Sequence, residues 1–263
     1  MLIDIGANLT HDSFDADREA VIGRAQAEDV SQFIVTGSDV EHSRKALNLC
    51  RQWPGILFCT AGTHPHHAKD FTTDAPDALR TLLANPEVVA VGECGLDYFR
   101  NFSPHDAQLA CFEAQLALAA EIRKPVFLHQ RDAHAEFMTV LKRHRQNLSA
   151  AVLHCFTGDE TELQDYLSLD LYIGVTGWIC DERRGSHLRE LVRKIPGKRL
   201  MLETDAPYLL PRDIKPRPAH HRNEPMYLKH ISEVVAACVD KPVTRLAAET
   251  TENAQRFFGL PLV

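Results

Sequence analysis

Eight short apolar runs, rich in β-branched residues, recur along this chain of 263 residues, and each is followed by a segment with helical character. The runs are continuous rather than alternating, which is typical of parallel strands covered on both faces. The predicted strands are LIDIGAN, QFIVTGS, ILFCTAGTHPH, VVAVGE, PVFLHQRDA, AAVLHCFTG, LYIGVTGW and RLMLETDAPY. No change of composition marks a linker, so one α/β domain over residues 1–263, a (β/α)8 TIM-type barrel, is expected. A doubly wound open sheet is the alternative, but no G-x-G-x-x-G follows the first strand.

Composition narrows the classes of protein that the chain could be. A net charge of −7 argues against a broad basic surface for duplex nucleic acid, although it allows a local basic patch. The seven cysteines are scattered and form no C-x-x-C pair, which is typical of reduced thiols in a cytoplasmic protein. The start MLIDIGANLT lacks the pattern of a signal peptide, and no apolar run has the length of a membrane span.

Polar side chains stand at the carboxyl ends of five predicted strands, where barrel enzymes place their sites. These residues are His64, His66, Glu93, His129, His154 and Asp205. A single buried histidine is more often a hydrogen-bonded core residue than a ligand. Five strands that all end in this way are hard to explain by chance, so the pattern predicts a divalent metal site.

The order of the strands suggests how the site is built. Strands four, five and six are neighbours in a barrel, so Glu93, His129 and His154 are expected to meet, with Asp205 approaching from across the barrel mouth. Such a set leaves positions open for water or substrate, as a catalytic metal requires. Asp205 is the candidate general base; a capping role at the following turn is the alternative, but it leaves Glu203 and the cluster unexplained.

Six motifs in this order resemble the TatD family of metal-dependent deoxyribonucleases, which are amidohydrolase-like barrels. They are GTHPH, GECGLDY, LHQRDA, LHCFTG, ETDAPY and RNEP, and the resemblance runs from the first strand to the last helix. Two further segments, VTGWICDERRG and PYLLPRDIKP, are most similar to the TatD subgroup itself. The resemblance implies hydrolysis of phosphodiester bonds by a 3′–5′ exonuclease on single-stranded DNA, and on RNA as well, with a role in DNA repair or degradation.

The resemblance also implies roles for individual residues. Glu93, His129 and His154 match a metal site, and Asp205 matches a ligand of a second metal and the base. His64 and His66 match residues near the scissile phosphate, so the expected catalytic residues are Asp205, His64 and Glu93, with His66 contacting substrate. The expected cofactor is a divalent metal, Mg²⁺ first with Mn²⁺ or Zn²⁺ as alternatives, as one or two ions.

One motif departs from the family pattern. Most relatives end the first strand in H-x-H, which holds the second metal, whereas Gly6 and Asn8 occupy those positions here. Neither residue replaces an imidazole well. The departure puts a two-metal arrangement in doubt, although Mg²⁺ tolerates it because this ion keeps several waters and needs few protein ligands.

Contacts to substrate are expected from the loops after strands seven and eight, which contain Arg184 and Arg222. These side chains either form a positive rim for a phosphate backbone or belong to a solvated, charged loop. After Glu93, the aromatic residues Tyr98, Phe99 and Phe102 could stack a nucleobase or could pack over the barrel mouth.

Two rival functions use the same scaffold. The first is a hydrolase of a small amide, ester or lactone, which would not need a cationic rim. The second is a catalytically idle barrel that binds nucleic acid or another partner, but such a module has no use for open metal positions. The expected partner is therefore a single-stranded nucleic acid substrate, with no membrane, and a monomer is expected.

Overall fold

Eight strands lie in one sheet in the computed structural model, which describes residues 1–262. They follow one another in chain order, and the strand pairs whose register is defined are parallel. This order, with helices between successive strands, confirms the predicted (β/α)8 barrel fold. The strands are β1 (Leu2–Ala7), β2 (Val30–Val35), β3 (Leu57–Ala61), β4 (Val88–Asp97), β5 (Val126–Arg131), β6 (Ala151–Leu153), β7 (Tyr172–Val175) and β8 (Leu200–Leu202).

Every strand is followed by helical segments, as the sequence pattern predicts. The α-helices are α1 (Arg18–Ala27), α2 (Val40–Cys50), α3 (Ala75–Leu83), α4 (His105–Ile122), α5 (His134–His144), α6 (Glu160–Ser168), α7 (Leu188–Leu191), α8 (Leu228–Cys238) and α9 (Val243–Phe258). In the part of the chain that the structure describes, no helix combines the length and the apolar character needed to cross a membrane.

Strand lengths differ most from the prediction. Strand β3 ends at Ala61, and a short 3-10 helix, Pro65–Asp70, begins where the predicted strand would continue. Strand β4 instead continues four residues past Glu93, because β5 pairs alongside it as far as Asp97 opposite Arg131. His64, His154 and Asp205 therefore lie outside the strands, whereas Glu93 and His129 lie within them.

The chain forms two compact units. One consists of Met1–Val35, Cys155–Gln164 and Tyr172–Val263, and it contains β1, β2, β7 and β8. Its strands are almost wholly buried, including the carboxylate of Asp4 within β1.

The other unit consists of Thr36–His154 and Asp165–Leu171, and it contains β3 to β6. Every residue of β4 is buried, and Phe112 and Phe137 stack beside it in the core with ring centroids 5.1 Å apart. All seven cysteines of the chain are free thiols. That residues 1–263 form one domain stays a prediction.

Candidate active site

Strand β4 supplies two carboxylates to one side of the sheet. Side chains alternate along a strand with a period of two, so Glu93, Gly95 and Asp97 share a face. A Cβ atom on Gly95 would lie 1.8 Å from the carbonyl oxygen of His129, and the φ angle of this glycine is 148°. Only glycine therefore lets β5 approach β4 closely enough to bring His129 beside Glu93.

Three imidazoles surround the Glu93 carboxylate, which is 7% exposed. Glu93 Oε1 lies 3.0 Å from His129 Nδ1, 3.0 Å from His154 Nε2 and 3.2 Å from His64 Nε2. The structure thus brings together Glu93, His129 and His154, as the order of the strands predicts. Burial alone would raise the pKa of Glu93, but His154 and His64 and the hydrogen bonds from the imidazoles hold this pKa well below its usual value.

His64 differs from the other two histidines in its protonation. Its Nδ1 accepts a hydrogen bond from the backbone N–H of His66 at 3.1 Å, so the proton of the neutral ring is on Nε2. Burial lowers the pKa of His64 to about 4, although Glu93 opposes this shift, and the ring is neutral near pH 7. An Nε2–H group can donate a hydrogen bond but cannot ligate a metal. His64, Glu93 and His129 do offer ligand atoms within 4.8 Å of one another, but His64 is suited to donate and not to coordinate.

Asp97 belongs to this cluster and was missed in the sequence. Its Oδ2 atom lies 2.8 Å from His66 Nε2 and 3.4 Å from His129 Nε2. Its Oδ1 atom accepts backbone N–H bonds from Phe99 at 3.0 Å and from Arg100 at 2.8 Å. Burial raises the pKa of Asp97, but the nearby imidazole of His129, the hydrogen bond with His66 and the backbone N–H of Arg100 outweigh burial, hold this pKa below its usual value and keep the carboxyl group ionised. The signal was the period of two from Glu93 along GECGLD, which places a second carboxylate on the same face.

The donor set fits a divalent cation. His129 presents Nδ1 towards Glu93 and Nε2 towards Asp97, the arrangement in which a carboxylate fixes the tautomer of a metal-binding histidine. Its Nε2 atom is buried and has no partner in hydrogen-bonding geometry, so the ring has not settled into an ordinary core hydrogen bond. One carboxylate and two imidazoles can hold a divalent ion and leave coordination positions free.

Asp205 follows β8, and hydrogen bonds join it to residues at the end of β1. Its backbone N–H donates to the carbonyl of Gly6 at 2.8 Å, and the side-chain amide of Asn8 donates to its Oδ1 at 3.1 Å. Gly6 and Asn8 thus contact Asp205 through a carbonyl and an amide. The buried Glu203 accepts a hydrogen bond from the backbone N–H of Cys155.

A wholly buried carboxylate, Asp4, holds the same segment from within β1. It accepts hydrogen bonds from the hydroxyl of Thr204, from the Thr204 backbone N–H at 2.9 Å and from the Gly6 backbone N–H at 3.2 Å. Burial raises the pKa of Asp4 to about 7 in spite of these bonds. Asp4 therefore ties the end of β1 to the residue before Asp205.

The two arginines predicted to bind substrate have carboxylate partners. Arg184 donates to Asp181 Oδ2 through Nε at 3.1 Å and through Nη2 at 3.0 Å. Arg222 donates to Asp17 at 2.8 Å and to Glu224 at 2.7 Å. The hydrogen bond from Arg222 lowers the pKa of Asp17 to about 2. A substrate role for these arginines stays a prediction, because both guanidinium groups are already engaged.

Comparisons with known proteins agree with this description. A family model described as "TatD related DNase" matches residues 3–259. The chain is 52% identical to the "3'-5' ssDNA/RNA exonuclease TatD" of Erwinia amylovora over 98% of its length and 100% of the relative, and 50% identical to that of Klebsiella pneumoniae over 98% of each. Two solved structures each superpose on this chain with a TM-score of 0.89, over 99% of this chain and 98% of theirs. One is the TatD homologue YJJV from Escherichia coli, at 28% identity, and the other is a TatD family hydrolase from Entamoeba histolytica, at 26% identity.

Proposed function

The chain belongs to the family of TatD-related DNases, and we propose that it is a metal-dependent 3′–5′ exonuclease acting on single-stranded DNA and RNA. The observation that carries the proposal is the convergence of two imidazoles on the buried Glu93 carboxylate, with Asp97 behind His129. The names of relatives that match nearly the whole chain support the substrate and the polarity. A role in DNA repair and degradation is part of the same proposal.

In this proposal, Glu93, His129 and His154 hold the metal, and Mg²⁺ is the preferred ion. When bound, the ion lowers the pKa of a water molecule and polarises a phosphoryl oxygen. Asp97 keeps the proton of His129 on Nε2, so that Nδ1 faces the ion. Because Gly6 and Asn8 offer no imidazole, we expect one ion to be held more tightly than any second.

Two other side chains have roles in proton transfer and charge. In this proposal His64, neutral with its proton on Nε2, donates a hydrogen bond to an oxygen of the phosphate under attack. Asp205 is the proposed base that accepts the proton of the attacking water, and the amide of Asn8 orients its carboxylate. His66, bonded to Asp97, has its ring near the same phosphate in this proposal.

The test is digestion of single-stranded and duplex oligonucleotides, DNA and RNA, labelled at either end. We expect a ladder that shortens from the 3′ end in Mg²⁺ or Mn²⁺, no cleavage in chelator, and little cleavage of duplex ends. A 3′-terminal phosphorothioate should slow the reaction, whereas the same group at the 5′ end should not. Glu93→Gln, which should bind the metal more weakly, serves as the control with reduced cleavage at low Mg²⁺. Cleavage that persists in chelator, or that starts from the 5′ end, would contradict the proposal.

We also retain the expectation of a monomer located in the cytoplasm. Seven free cysteines support a reducing compartment. Light scattering during size-exclusion chromatography tests the monomer, since a mass near twice 29.5 kDa would exclude it.

A further inference from the structure

Two large aromatic side chains are exposed on the loop that follows β4. Phe99 is 52% exposed and Phe102 is 56% exposed. The described part of the chain has only six large hydrophobic residues that are exposed, so two of them three positions apart form an unusual feature. Exposed apolar side chains that cluster beside a functional site often contact a ligand.

Phe102 lies directly beside the candidate active site. Its ring packs edge-on against the ring of His66, with the centroids 4.8 Å apart. His66 is in turn bonded to Asp97, the carboxylate behind His129. The neighbouring Tyr98 is engaged elsewhere, because its ring stacks on His105 at 3.6 Å and its hydroxyl donates to Glu136. Of the three aromatic residues after Glu93, only Phe99 and Phe102 present rings to solvent.

Two arginines accompany the ring of Phe99. The guanidinium carbon of Arg131 lies 3.9 Å from the centroid of Phe99, and that of Arg100 lies 5.7 Å from it. Among residues 1–262 neither guanidinium forms an ion pair, in contrast to Arg184 and Arg222. Arg131 is two positions beyond His129 on β5, so both side chains point to one face of the strand. Arg131 therefore brings a positive charge to the face of β5 that carries His129.

We propose that Phe102 is the stacking platform for a nucleobase of the substrate and that Arg131 and Arg100 bind the adjacent phosphate. This inference rests on the proposed nuclease function and specifies how its site recognises a nucleotide. An aromatic ring stacks on any base that is not paired, and a guanidinium matches a phosphate without regard to sequence. Since a base within a duplex has no free face, the platform also accounts for the choice of single strands.

The first experiment tests whether the ring of Phe102 and a nucleobase of the substrate act together, by removing each of them separately and then both. Wild type, Phe102→Leu and Phe102→Trp are given a single-stranded oligonucleotide that is intact or has one abasic residue at the first, second or third position from the 3′ end. Leucine keeps the apolar surface of an exposed side chain and removes the π face, so folding is not at issue. We expect one abasic position to lower the wild-type kcat/KM by about 5- to 150-fold, the range typical of base stacking.

The outcome with the variants decides the inference. Phe102→Leu should cleave the intact strand more slowly by a similar factor and should lose nothing further at that abasic position, while Phe102→Trp should behave as wild type. Equal losses in wild type and Phe102→Leu at every abasic position would overturn the stacking assignment. Wild type that cleaves no oligonucleotide at all would overturn the proposed function, and this inference with it.

The second experiment tests the arginines through salt. Binding of the single strand is measured against salt concentration in chelator, where cleavage is not expected. Each phosphate contact to a single strand contributes about 0.7 to the slope of log K against log salt. Arg131→Gln and Arg100→Gln should each reduce this slope by about that amount. The matched control is Arg123→Gln, an exposed arginine just before the opposite end of β5, and its slope should equal that of wild type. Slopes unchanged in both test variants would refute the phosphate contact.

Discussion

Replacement of Asp97 by asparagine should weaken metal binding without unfolding the chain. An asparagine keeps an oxygen for the backbone N–H groups of Phe99 and Arg100, which lie 3.0 Å and 2.8 Å from Oδ1. It places an NH2 group where Oδ2 faces His129 Nε2 at 3.4 Å. This donor requires a lone pair on Nε2, so the proton of the neutral ring moves to Nδ1. Nδ1 is the atom that lies 3.0 Å from Glu93 and faces the ion in our proposal.

The size of the effect on metal binding follows from the reversed contact with His129, although the contact of the same oxygen with His66 Nε2 at 2.8 Å is reversed too. Removal of a carboxylate that orients a metal-binding histidine typically costs about 10- to 100-fold in metal affinity or activity. This factor corresponds to about 1.4–2.7 kcal/mol in the free energy of metal binding. The free energy of unfolding should change less, because the two backbone hydrogen bonds are kept.

Calorimetric titration with Mn²⁺ measures this loss directly. The matched control is Asp165→Asn. Asp165 also accepts a hydrogen bond from a histidine, His134 Nε2 at 2.8 Å, but these two residues belong to helices α5 and α6. The metal affinity of this variant should equal that of wild type. An affinity of Asp97→Asn within twofold of wild type, with an unchanged thermal midpoint, would refute the role given to Asp97.

Three further perturbations have defined outcomes. The pKa of Asp4 is raised from 3.8 to about 7 in the folded state, so between these values the folded protein binds more protons than the unfolded chain and its stability falls as the pH rises. Urea denaturation of the metal-free protein should therefore show a loss of stability between pH 4 and pH 8, and Asp4→Asn should remove up to about 4 kcal/mol of that loss. An unchanged pH profile of the variant would contradict this. Glu93→Gln should regain part of its turnover in excess Mg²⁺, whereas Asp205→Asn should stay about 10²–10⁴-fold slower, and the reverse pattern would exchange their roles. Arg222→Gln should lower the free energy of unfolding by about 1–3 kcal/mol because the buried Glu224 loses a partner at 2.7 Å, and an unshifted urea midpoint would exclude this.

The sequence predicts the fold well because each strand is a separate apolar run with polar residues at its carboxyl end. The same pattern predicts the meeting of Glu93, His129 and His154, since neighbouring parallel strands end at one edge. Asp97 was missed although a period of two along GECGLD points to it, because the apolar run stops before Glu93 and the pairing of β4 with β5 continues to Asp97 only in the structure.

Charged residues are harder to interpret without a structure. Arg222 in its basic loop suggests a free cation, yet Asp17, far away in sequence, neutralises it. Arg131 attracts less attention because it stands alone after His129. Which arginine is free depends on partners that only folding brings near, and local composition has no information on that point.

Gly95 limits how this protein can change over generations. Every single-nucleotide change that alters a glycine codon introduces a Cβ atom or ends the chain, and here that atom would meet the carbonyl of His129 at 1.8 Å. Each such variant must separate β5 from β4, so it loses strand pairing and the placement of His129 together. At this codon, selection for a folded protein and selection for an active one therefore remove the same variants.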